Sequence, residues 1–257
     1  MPSLRLGALV LGAIAMLCGC AKFPASGATG QSQVIRFRYT MRAPVQVLGG
    51  SASSSVYIYA VAIRATTDPN PPPDKGPLPV LTYNANGLVT GNTGGGPTHY
   101  VLFDSQSPTG SDPYKLFTFN RITPSDLDSA PDLNTLPVYQ PHAILNYISY
   151  QFPPSGQDGP TTLGFDVFLS SLVVNASDIP KIKTLQINFL TRSRLSTSPG
   201  TQTNAFDSLG DNTSSSGINQ PLTVYLNRTG IVNGVDPQDV SDPALDFGNW
   251  SVEVVSQ

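Results

Sequence analysis

"QVIRFRYTMR", Gln33 to Arg42, alternates without a slip. Ile35, Phe37, Tyr39 and Met41 fall on one face, and Arg36, Arg38, Thr40 and Arg42 on the other. A period of two with aromatic and β-branched residues on the apolar face is the pattern of a half-buried strand. The next apolar stretch, "SVYIYAVAIRA" at 55–65, is apolar on both faces, as a central strand would be. Further segments of strand character are His99–Asp104, Tyr114–Arg121, Leu145–Phe152, Leu163–Ser170, Thr184–Thr191, Leu222–Arg228 and Trp250–Ser256. No long segment keeps a 3.6-residue period, and the best short helix falls around Val174–Ile179. This pattern predicts an all-β fold: a single antiparallel β-sandwich, jelly-roll or immunoglobulin-like.

Composition agrees with that reading. Charged residues make up 12% of the chain, against about 25% in ordinary soluble domains. Glu253 is the sole glutamate, while glycine (23) and proline (24) are plentiful, which suits strands joined by long polar loops. Two such loops stand out. Residues 66–97 are Pro-rich and then Gly-rich, and 193–220 are rich in Ser, Thr and Asn. Loops of that length commonly carry function, and a rigid sandwich would present them for recognition. Nothing in the formal charge of −3 suggests nucleic-acid binding, which wants a basic stripe.

The amino terminus carries a different message. Arg5 precedes an apolar run from Leu6 to Leu17, shorter than the roughly 20 residues a membrane-spanning helix needs. Both cysteines follow at once, in "MLCGCAKF", Met16 to Phe23. Leu17-Cys18-Gly19-Cys20 resembles the lipobox of bacterial lipoprotein precursors. The resemblance implies cleavage before Cys20, lipid on Cys20, and recognition of Leu17, Cys18 and Gly19 by the signal peptidase. A cut before Cys18 would put bulky Leu17 at −1, so Cys20 is the better site. The expected organisation is a signal peptide over 1–19, a flexible tether over 20–30 and a β-sandwich domain over 31–257. Ala21 rather than Asp after the lipidated residue implies an outer-membrane destination in a two-membrane bacterium. The mature chain then has no free thiol, hence no disulfide, cysteine nucleophile or Cys-based zinc site.

Residues able to carry chemistry are few. His99 and His142 are the only histidines, and neither sits in a His-Glu-x-x-His or Gly-x-Ser-x-Gly frame. "GNTGGGPT", Gly91 to Thr98, misses a P-loop because Pro97 stands where its lysine should be. Acids gather twice: Asp126, Asp128 and Asp132, and then Asp236, Asp239, Asp242 and Asp246. Loop carboxylates can hold a hard cation. Asp126 and Asp128 are the preferred calcium pair, because Asp-x-Asp places two carboxylates close together. Arg36, Arg38 and Arg42 form either a solvated strand face or a surface for an anionic polymer.

"VYIYAVAIRATTDPNP", Val56 to Pro71, is an aromatic strand running into an Asp-containing loop. It is similar to exported sugar- or haem-binding sandwich modules, a resemblance that implies Tyr57, Tyr59 and Asp68 as ligand-binding residues. The functional expectation is a non-catalytic cell-envelope lipoprotein, a binding or structural module on the extracytoplasmic side of a membrane. Its partners would be the membrane, through the lipid, and a glycan or envelope protein. The competing expectation is an exported polysaccharide hydrolase or lyase that works through an Asp pair in a deep cleft.

Overall fold

The computed structural model describes residues 33–46, 55–77, 96–103, 113–132, 135–147, 159–195, 206–209 and 221–256. The lipobox-like segment, the tether and most of the two long loops lie outside the described residues.

The fold is a β-sandwich of two antiparallel sheets. The strands are β1 (Gln33–Met41), β2 (Ser55–Thr66), β3 (His99–Phe103), β4 (Tyr114–Thr118), β5 (Val138–Gln140), β6 (Ile144–Leu145), β7 (Thr162–Phe168), β8 (Thr184–Leu195), β9 (Phe206–Ser208), β10 (Leu222–Tyr225), β11 (Gly230–Val235) and β12 (Phe247–Ser256). Sheet I has the order β11-β12-β1-β7-β6. Sheet II has the order β10-β8-β2-β3-β4-β5, and β9 continues the β10 edge farther along β8. The weak helical signal resolves into 3-10 turns at Leu169–Leu172 and Ala176–Lys181. Of the predicted segment Leu145–Phe152, residues 148–152 lie outside the described residues, and among the three described ones Leu145 alone is in a strand, in β6.

The alternation in β1 does what its period requires. Ile35, Phe37, Tyr39 and Met41 are buried, while Arg36, Arg38 and Thr40 are half-buried. β1 lies between β12 and β7, so its apolar row faces the other layer from the middle of sheet I. The core there is aromatic. Phe37 stacks on Phe165 of β7 with centroids 5.0 Å apart. Phe189 of β8, in sheet II, meets Tyr39 edge-on at 5.2 Å and Phe247 of β12 at 6.1 Å. Such pairs add about 0.5–1.5 kcal/mol each beyond the area they bury. Tyr114 of β4 joins the layers a second way, its hydroxyl accepting from the Gly164 amide at 3.0 Å.

The doubly apolar β2 is central, as its sequence suggests. It pairs with β8 along its full length, from Ser55↔Leu195 to Thr66↔Thr184, and with β3 on its other side. Its outer face is covered. Gln186 and Asn188 of β8 are fully buried and donate side-chain amides to the carbonyls of Pro72 and Pro77. Asn188 also accepts from the Leu209 amide at 3.0 Å. The beginning of the Pro-rich loop, 67–77, is thus fastened onto sheet II rather than standing off it.

Candidate functional site

The residues singled out as ligand contacts serve the fold. Tyr59 is 0% exposed; its hydroxyl donates to the Ala244 carbonyl and accepts from the Gln46 amide, both at 3.0 Å. Both of its hydrogen bonds therefore go to backbone atoms inside the fold. Tyr57 is half-buried, and its hydroxyl donates to Asp242 Oδ2 at 2.7 Å. Burial and that carboxylate push the phenol up to about 12. Asp68 closes its own turn, accepting from the Asn70 amide at 2.8 Å, and its carbonyl accepts from Thr184. Together the two tyrosines pin the segment 242–244.

The preferred calcium pair is also committed. Asp128 accepts from the hydroxyls of Thr66 and Thr67 and from the Thr67 amide. Asp126 is exposed and accepts from the Asp128 amide at 2.9 Å. These bonds make Asp128 a clamp between the 121–132 loop and the end of β2. Both oxygens of Asp128 therefore already serve protein donors.

His99 is 2% exposed, its Nδ1 lying 2.9 Å from Thr98 Oγ1, and burial followed by Arg121 holds its pKa down near 3. An imidazole sealed that deeply cannot exchange protons with a substrate. His142 sits in the turn between β5 and β6 with φ 59°, in the left-handed region. The arginine face of β1 is paired off. Arg36 bonds Asp166 of β7 at 3.2 Å and Glu253 of β12 at 2.9 Å, and Arg38 lies 3.3 Å from Asp166. Register explains it: Arg36 is directly opposite Asp166 on one side and Glu253 on the other.

The most unusual chemistry lies at the end of the sandwich where β9 meets the β11–β12 connection. Asp207, Asp236, Asp239 and Asp246 each present a carboxylate oxygen, and the four oxygens lie within 4.8 Å of one another. Two stretches of chain assemble them, β9 and the β11–β12 connection. Asp207 is the middle residue of β9 and pairs with Thr191 of β8. Asp236 follows β11, its amide bonded to the Gly248 carbonyl at 2.8 Å. Asp246 precedes β12, its carbonyl accepting from the Arg42 amide at 3.0 Å. Asp207, Asp236 and Asp246 are 0–3% exposed, and Asp239 is half-buried.

Asp207 Oδ2 accepts from the Phe247 amide at 2.8 Å, while its Oδ1 is buried with no hydrogen-bond partner. Asp246 Oδ2 lies 3.0 Å from Arg42 Nε, and its Oδ1 likewise has no partner. Two carboxylate charges at the outer limit of 4.8 Å repel by about 3.5 kcal/mol at an effective dielectric near 20, and by more when closer. The consequence is visible in Asp207: burial first, with Asp236 and Asp239 adding to it, pushes its carboxyl up to about 8. Burial also raises Asp246, against the pull of Arg42. An all-oxygen, all-carboxylate set suits a hard cation such as calcium and not zinc or copper.

Sequence reading found Asp236, Asp239 and Asp246 as a run but placed Asp242 among them and missed Asp207. Asp242 turns away to Tyr57 and the Ala244 amide. Asp207 stands 29 residues before Asp236 in the numbering, and only the pairing of β9 with β8 brings it in. Two surface cavities, of about 250 and 340 Å³, have no carboxylate in their linings. Comparison with protein-family models, with curated proteins and with solved structures found no match.

Proposed function

We propose that the protein is a non-catalytic cell-envelope lipoprotein, a β-sandwich that acts as a binding or structural module on the extracytoplasmic side of a membrane. The lipobox-like Leu17-Cys18-Gly19-Cys20 supports the anchor, with lipid on Cys20 and an outer-membrane destination where the bacterium has one. The observation that carries the non-catalytic reading is the commitment of the ionisable side chains. His99 is sealed in the core, the β1 arginines are paired with acids, and three of the four gathered aspartates are buried. A polysaccharide needs two carboxylates that it can reach, and Asp207 and Asp246 are both 0% exposed. Recognition of a glycan or envelope protein then falls to the loops.

The test is made on cells grown with labelled palmitate. The native chain should carry label and sediment with membranes. Cys20→Ser should lose the label and appear in the soluble fraction, while Cys18→Ser should retain both properties. Label retained by Cys20→Ser would refute the anchor. Release of sugars or peptides by the purified protein would refute the non-catalytic part.

A further inference from the structure

We propose that Asp207, Asp236, Asp239 and Asp246 bind one calcium ion, which fastens β9 of sheet II to the β11–β12 connection of sheet I. The inference goes beyond the envelope reading and does not depend on lipid at Cys20. It rests on two independent observations. The first is convergence: four carboxylate oxygens, one from β9 and three from the β11–β12 connection, lie within 4.8 Å of one another. Oxygens that share one calcium at about 2.3–2.6 Å can be no farther apart than about 4.6–5.2 Å, twice that radius. The second is the state of the acceptors. Asp207 and Asp246 are both 0% exposed, and Oδ1 of each is buried with no hydrogen-bond donor. Buried acceptors are nearly always satisfied, so two in one cluster point to a ligand that supplies positive charge.

Arg42 Nε bonds Asp246 and its Nη2 donates to the Asp236 carbonyl, which leaves Oδ1 of Asp207 and of Asp246 without a donor. A divalent cation among the carboxylates answers those two oxygens. Calcium fits better than magnesium on coordination grounds. Calcium accepts six to eight oxygens in flexible geometry, including cages built largely from protein. Magnesium keeps several waters and takes one or two carboxylates. The ion would also have a structural consequence. Asp207 already holds the Phe247 amide at the start of β12, and Thr191 of β8 donates to the Leu245 carbonyl. Calcium would close the same seam between the two sheets.

The experiment uses the full chain in detergent, stripped with EDTA and dialysed to equilibrium against radioactive calcium. One ion per chain should bind, with Kd on the order of 10⁻⁴ M, the range of extracellular calcium modules. Calcium at a hundredfold excess over Kd should raise the thermal midpoint by about 5–10 °C. Asp239→Asn, at the least buried of the four positions, should weaken binding at least about tenfold. Asp242→Asn, which lies outside the cluster, should bind within about twofold of the native chain. The inference is overturned by absence of bound calcium, by magnesium binding as tightly as calcium, or by Asp239→Asn binding like the native chain.

Discussion

Asp166 and Asp246 are both fully buried, both belong to sheet I or its border, and both touch an arginine from β1 or its end. Asp166 meets Arg36, Arg38 and the Asn146 amide, so each of its oxygens has a donor. Asp246 has Arg42 on one oxygen and three other aspartates close by. The difference shows what a buried carboxylate requires. Where neighbouring strands bring guanidinium groups into register, the acid is satisfied within the protein and the group locks the sheet. Where they bring more acids, the charge must be neutralised by protons or by a bound cation. The first arrangement is permanent; the second responds to its solution.

The largest expected effect strikes the balanced side. Asp166→Leu leaves Arg36, Arg38 and the Asn146 amide without their shared carboxylate, and since hydrogen bonds to a charged group contribute about 1.5–3 kcal/mol, the loss should be about 3 kcal/mol. Urea unfolding should show that loss equally in calcium and in EDTA; an unchanged midpoint would make the β1 ladder ornamental. A smaller effect, with a sign that depends on conditions, is expected from Asp207→Asn. The asparagine oxygen can still accept from Phe247 and its amide can donate to a neighbouring acid, so in EDTA the variant should be as stable as the native chain or more so. In calcium it should be less stable by about 2 kcal/mol, having lost a ligand. The same sign in both solutions would remove the contrast between the regions. The smallest effect is Tyr57→Phe, which removes the bond to Asp242 and should cost about 1 kcal/mol. Because Asp242 is outside the cluster, that loss should be the same with and without calcium. A calcium-sensitive loss would extend the site to Asp242.

What could be read from the chain beforehand follows the same division. Alternation in β1 and the doubly apolar β2 are local patterns, and they led to the right architecture because burial on one face or two writes itself into residue spacing. β11 was missed because its burden is different. It is an exposed edge strand, and Gly234 stands opposite Trp250, whose ring lies where a β-carbon would come within 2.6 Å of Cζ2. Its glycines and asparagine are residues that strands disfavour. β9 is three residues long inside a Ser/Thr/Asn-rich stretch and has no period to detect. The acids were harder still. Adjacency in sequence favoured Asp126 and Asp128, but Asp128 is used by threonines from the end of β2. Arg36 finds Asp166 and Glu253, and Asp207 finds Asp236, only through strand pairings that no local pattern encodes.

Occupancy at the cluster tests most directly the idea that two kinds of buried acid divide the work in this fold. A crystal structure of the chain grown in calcium should contain one ion ligated by Asp207, Asp236, Asp239 and Asp246, with oxygen distances of about 2.3–2.6 Å. Asp166 in the same crystal should remain bonded to Arg36 and Arg38 with no ion beside it. Carboxyl groups in the cluster bonded directly to one another, with oxygen separations of about 2.5–2.7 Å and no ion among them, would contradict the account.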